Sequence, residues 1–240
     1  MPKCLRTMIY ITDSSLHLSG CFDRLDAGRP GDGPPLHFYD MRTWLYIDGN
    51  HLNPTVFGMA ELDRLNPVAL AEQAFPANAI HCAKFFATSL PVADFPPEQI
   101  AARRRYWRML RSLPNFYTIE GRFRRRQLPG SGGFRVEERG SDVNLTAHLL
   151  SDLMLGCFDA AIVVTGNPDL ALPIRLARQF SGLPVGVLNP QRLSGPGRPE
   201  ARPCAELRDA ASFYQHGVTW SQLQRAQFAP AADTAEPGAA

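Results

Sequence analysis

Phe158-Asp159-Ala160-Ala161-Ile162-Val163-Val164-Thr165-Gly166-Asn167-Pro168-Asp169 decides the fold. Residues 158–165 read as a strand. The apolar run is unbroken, as expected of a parallel strand covered on both faces. A turn of small residues leaves it, and Asp169 opens a helix expected over 169–180. Asp169 is its expected N-cap, with Pro168 outside the helix. Strand, turn, acid and helix in that order form half of an α/β unit.

The same grammar extends in both directions. Residues 43–48 read as a buried strand ending at Asp48, followed by Gly49-Asn50. Residues 81–88, 115–119 and 185–188 read as further strands. Residues 98–113 carry Ile100, Trp107, Leu110 and Leu113 at helical spacing, and Pro114 ends that helix. Asp142 is the expected cap of a helix reaching about residue 155. Asn66-Pro67 opens a short helix, and a last helix is expected over 204–214. Residues 53–61 read as a loop, and residues 122–139 as a flexible, glycine-rich one. The expectation is a single α/β domain over 41–228. Its mostly parallel sheet of about five strands is flanked by helices.

The ends differ in character. Residues 1–40 contain Ala27-Gly28-Arg29-Pro30-Gly31-Asp32-Gly33-Pro34-Pro35, a poorly packing linker. Two readings stand: translation starts at Met41 and the extension is an artefact of start-site choice, or it is an accessory segment. Residues 229–240 are rich in Ala, Pro and Gly and read as a disordered tail.

Composition narrows the function. Of 240 residues, 45% are hydrophobic and 20% charged, and the net charge is +2. That is ordinary for a globular protein, so any polyanion-binding surface must come from local charge segregation. Cys4, Cys21, Cys82, Cys157 and Cys204 form no CxxC pair, which argues against zinc and for thiols in a reducing compartment. No apolar run is long enough to span a bilayer, and the N-terminus does not read as a signal peptide. A cytoplasmic protein is expected, without membrane partners, and a homo-oligomer is compatible with the sequence.

Three acids carry the chemical expectation. Carboxyl ends of parallel strands face one crevice, so Asp48 and the helix-start acids Asp142 and Asp169 should converge there. Each alone reads equally as an Asx turn or a cap. Together they form an oxygen-ligand set suited to Mg²⁺ or Mn²⁺, as used to cut phosphodiesters. Asn50 and Asn167 add neutral polar groups beside the acids. His148 lies six residues after Asp142, off its face, and a lone histidine on such a helix is more often structural than functional.

The basic counterpart lies between residues 103 and 126. Nine arginines occur there, at 103, 104, 105, 108, 111, 122, 124, 125 and 126, against one acid, Glu120. Tyr106, Trp107, Phe116 and Phe123 are interleaved. Arginine forks onto phosphate and stacks on bases, so Arg104, Arg108, Arg111, Arg124, Arg125 and Arg126 are the candidate RNA-binding residues.

These segments resemble the NYN domain, a branch of the PIN-like nuclease superfamily. Tyr46-Ile47-Asp48-Gly49-Asn50 is similar to its first strand and Lys84-Phe85-Phe86-Ala87-Thr88 to its second. Residues 105–114 resemble the following helix. Residues 138–150 resemble its most recognisable stretch, and Asp159 to Asp169 with Pro173-Ile174-Arg175 its fourth strand and next helix. The resemblance implies a metal-dependent ribonuclease with Asp48, Asp142 and Asp169 in the active site. Two positions depart from the pattern: Asn167 stands where the family usually has an acid, and His148 where other branches often carry Asp. The rival implication is a non-catalytic RNA-binding or regulatory module of the same fold. A phosphatase with Asp48 as nucleophile is disfavoured, because Asn50 stands where such sites place a second Asp.

Overall fold

The computed structural model describes residues 41–52, 62–91, 93–127, 133–193 and 203–229. All of them belong to one compact unit, Leu36–Ala240. The N-terminal extension, the loop at 53–61 and the tail beyond 229 lie outside the described residues.

Six strands form one parallel sheet in the order β3-β2-β1-β6-β7-β8. They are β1 (Thr43–Asp48), β2 (Ile80–Ala87), β3 (Phe116–Glu120), β6 (Ala160–Val164), β7 (Val185–Leu188) and β8 (Phe213–Gln215). The order reverses between β1 and β6: the chain builds outward from β1 in one direction, then returns to its other edge. Such a switch point opens a crevice at the carboxyl ends of the two central strands.

Side-chain alternation sorts the core into two layers. Leu45 and Ile47 of β1, with Phe85, Ile162 and Val164, face one side. That side is covered by α1 (Pro67–Ala74), α2 (Pro97–Arg111) and α6 (Trp220–Arg225), through Leu70, Trp107, Leu110 and Leu223. Tyr46, Phe86, Ala161 and Val163 face the other side. There α3 (Ser141–Met154), α4 (Ala171–Ser181) and α5 (Ala205–Ala210) contribute Leu145, Leu149, Ile174 and Leu207.

Four sequence expectations need correction. Residues 122–139 are not a plain flexible loop. β4 (Arg122–Gln127) and β5 (Phe134–Arg139) pair as an antiparallel ribbon, with the Gly-rich segment between them. Backbone pairing outweighs the poor strand pattern of an arginine run. Residues 213 and 214, expected at the end of a helix, belong to β8 (Phe213–Gln215), because the helix stops at Ala210 and Ala211 is extended. Asp142 does not cap its helix: Gly140, in the left-handed region at φ 93°, occupies that position, and Asp142 sits in the first turn. Asp169 is likewise not a cap. Asn167 caps a short 3₁₀ turn, Pro168–Leu170, that leads into α4.

Candidate active site

Asp48 shares its parity with Tyr46, so its side chain falls on the α3 side of the sheet. It is 1% exposed. Its Oδ2 accepts from Thr165 Oγ1 at 2.8 Å, and its Oδ1 from the Asn50 backbone N–H at 3.0 Å. Thr165 directly follows β6, so this bond ties the two strands of the switch point together at their carboxyl ends. Burial pushes the Asp48 acid upward, and the nearby charge of Asp142 adds to the rise; His51 and the Thr165 hydroxyl oppose it. The His51 imidazole comes to 4.0 Å from Asp48 Oδ2.

Asn167 extends the chain of contacts. Its backbone N–H donates to Thr165 Oγ1 at 3.0 Å, and its side-chain Nδ2 to Asp142 Oδ2 at 3.0 Å. Asp48, Thr165, Asn167 and Asp142 are therefore linked in one polar network. The Asn167 carbonyl oxygen is turned away, accepting from the Asp169 N–H at 3.0 Å. Asn167 thus meets Asp142 as a donor. Asp169 is exposed on the 3₁₀ turn and, among the described residues, is joined to the network through its backbone N–H. Among the described residues, no three His, Cys, Asp or Glu side chains gather as a set that could hold a metal ion. The three sequence-predicted acids thus divide into a linked pair, Asp48 and Asp142, and an outlying one.

A groove of about 600 Å³ opens beside this network, lined by Asn50, residues 136–140, Ser141, Asp142 and Val143. The Asn50 amide lies between the Ser141 hydroxyl, at 2.8 Å, and the Glu138 carboxylate. With its nitrogen toward Glu138 it donates to that carboxylate and accepts from Ser141. Glu138 also accepts from Thr88 Oγ1 at 2.8 Å. Sequence reasoning missed Glu138, Ser141, Thr165 and His51. Thr165 and His51 carried a signal, each lying within three residues of a strand end; Glu138 had none once its strand was read as a loop.

His148 serves a different network. Its Nδ1 is 3.3 Å from Lys84 Nζ, which pairs with Asp152 at 2.6 Å, and Tyr46 donates to the same Asp152 oxygen at 2.8 Å. These groups lie between the sheet and α3, and burial together with the Lys84 charge lowers the His148 pKa.

The arginines separate by environment. Arg104 and Arg108 are exposed on α2. Arg111 is engaged with Thr118 at 3.1 Å and Glu120 at 3.6 Å and lies over the Trp107 ring. Arg124 and Arg126 are exposed on β4, whereas Arg125 is paired with Asp94, its Nε at 3.2 Å.

No family model matches the chain. A stretch of 57 residues is 35% identical to 6-hydroxy-3-succinoylpyridine 3-monooxygenase HspA of Pseudomonas putida (strain DSM 28022 / S16). The match spans 24% of this chain and only 18% of that protein. Among solved structures, the chain is similar to a protein of unknown function from Vibrio parahaemolyticus RIMD 2210633. The identity is 16%, the coverage 76% of this chain and 94% of that one, and the TM-score 0.49. It is also similar to Acinetobacter baumannii MurG, at 17% identity, 72% and 40% coverage and a TM-score of 0.33. At these values neither structural likeness bears on function. Among the described residues no helix is long and apolar enough to cross a membrane.

Proposed function

We propose that this chain is a divalent-metal-dependent ribonuclease of the NYN, PIN-like kind. The observation that carries the reading is Asp48: a carboxylate 1% exposed at the strand-order reversal and linked through Thr165 and Asn167 to Asp142. Burial, and then the nearby Asp142 charge, raise the cost of ionising Asp48, which a cation offsets. The donor set fits Mg²⁺ or Mn²⁺ held by one or two carboxylates, with water and substrate phosphate completing the shell. Such an ion supplies an activated water and offsets charge on the scissile phosphate.

The protein's own groups support the same use. Thr165 and the Asn50 backbone N–H fix the Asp48 carboxylate in one orientation. Among the described residues no side chain caps the first-turn amides of α3, and Gly140 to Val143 line the groove. An uncapped helix start favours a phosphate oxygen. His51, at the edge of the network, is suited to move a proton to or from the reacting oxygens.

One observation favours a second reading. The Asn167 amide is a neutral donor where a further carboxylate would strengthen cation binding, which suits an RNA-binding module without cleavage. The experiment is a cleavage assay on single-stranded RNA in Mn²⁺, in Mg²⁺ and in EDTA, with wild type and Asp48→Asn. The expected outcome is metal-dependent cleavage lost in the variant, by about 10²-fold or more, with RNA affinity kept or raised. Binding without cleavage in wild type would establish the second reading instead.

A further inference from the structure

The β4–β5 ribbon has two unlike faces, fixed by its register. Arg122 is opposite Arg139, Arg124 opposite Glu137, and Arg126 opposite Arg135, so these six positions share one face. The other face meets the body. Phe123 packs against Phe95 with ring centroids 5.9 Å apart, Arg125 pairs with Asp94, and Glu138 bonds to Thr88. Arg122, Arg124 and Arg126 are exposed, and among the described residues no carboxylate pairs with them. Arg139 is different, with Glu137 at 2.7 Å. A second groove of about 400 Å³ is lined by Arg124, Arg125, Arg126, Gln127, Glu137 and Arg139. It shares Glu137 and Arg139 with the groove beside Asp142, so the two adjoin at these residues.

We propose that the outer face of this ribbon is a track for single-stranded RNA. Arg122, Arg124 and Arg126 hold successive phosphates and lead the strand over Glu137 and Arg139 to Asp48 and Asp142. The inference rests on the ribonuclease reading for the destination of the strand. Alternate residues of a strand stand about 6.8 Å apart, a repeat that suits the phosphates of an extended single strand. Guanidinium groups without carboxylate partners keep their forks available for phosphate. Arg125 borders the same groove, but its fork is held by Asp94, so it fastens the ribbon instead of holding a phosphate.

The test is fluorescence anisotropy of a labelled, mixed-sequence single-stranded RNA with the full chain in EDTA across a salt series, beside a cleavage assay in Mn²⁺. Replacing Arg122, Arg124 and Arg126 together by Gln should lower the log–log salt slope by about 2 units, at ~0.7 per lost contact on a single strand. The triple Lys variant should keep the slope, because charge is kept. Arg125→Gln should change it by less than one contact. Equal slopes for wild type and the Gln variant overturn the track. So does tighter binding of the duplex of the same sequence, or no binding of either form. The two readings fail separately. Slope loss in the Gln variant without any cleavage by wild type sinks the ribonuclease and keeps the track. Cleavage that depends on Asp48, with an unchanged slope, sinks only the track.

Discussion

Position 167 shows how one amide sets the charge of a crevice. Its nitrogen faces Asp142 and its oxygen caps the Asp169 N–H, so both ends are in use. Asn167→Asp keeps the cap and turns the other oxygen on Asp142. Without a cation the variant should be less stable, because two carboxylates then meet where a hydrogen bond was. With Mn²⁺ its melting temperature should rise by more than that of wild type, since ligand binding adds RT ln(1 + [L]/Kd) to stability. Equal Mn²⁺ shifts in both proteins would show that residue 167 does not face the ion. At this scale the sequence was partly legible. Asp48 could be singled out only together with Asp142 and Asp169, because an acid that ends an apolar run equally closes an Asx turn. Glu138 could not, because its place in the crevice depends on a ribbon register that an arginine-rich segment does not announce.

Among elements, the parallel strands were readable because burial on both faces leaves long apolar runs, as at Ala160–Val164. The ribbon and β8 were not. β4 is Arg-Phe-Arg-Arg-Arg-Gln, whose strand character comes from pairing with β5, and β8 is only three residues long. The turn after β1 shows how tightly an element must fit to hold the site. A Cβ on Gly49 would come 2.6 Å from Ala87 Cβ and 2.8 Å from the Phe86 carbonyl oxygen. Gly49→Ala therefore has to push the Asp48–Asn50 turn away from β2. The expected cost is about 1–3 kcal/mol in urea unfolding, as for other overpacked cores. Catalytic loss should exceed what that destabilisation explains, because Asp48 and Asn50 move with the turn. An alanine variant with wild-type stability and activity would mean the turn has slack.

For the whole molecule, stability should depend on pH through His148. Its folded-state pKa is lowered, first by burial and then by Lys84, with Asp152 opposing. Above the ordinary histidine value of about 6.5 both folded and unfolded forms are neutral there, and the group contributes nothing to the slope. Below it the unfolded chain takes up a proton that the folded one resists, so stability falls as pH drops toward the folded pKa. Urea midpoints of wild type and His148→Gln should therefore converge or cross as pH falls through that window. A constant gap between them would show that His148 titrates as it does in the unfolded chain. The strand order has a further consequence, for the timing of synthesis. Asp48 and its Thr165 partner are 117 residues apart in the chain, on opposite sides of the seam between β1 and β6. A nascent chain that has made β1, β2 and β3 carries one open edge along β1 and half a site. Only when β6 has emerged from the ribosome can the seam close and the Asp48–Thr165 bond form. The Asp48 end of the crevice is thus incomplete on the growing polypeptide until most of the fold has been made.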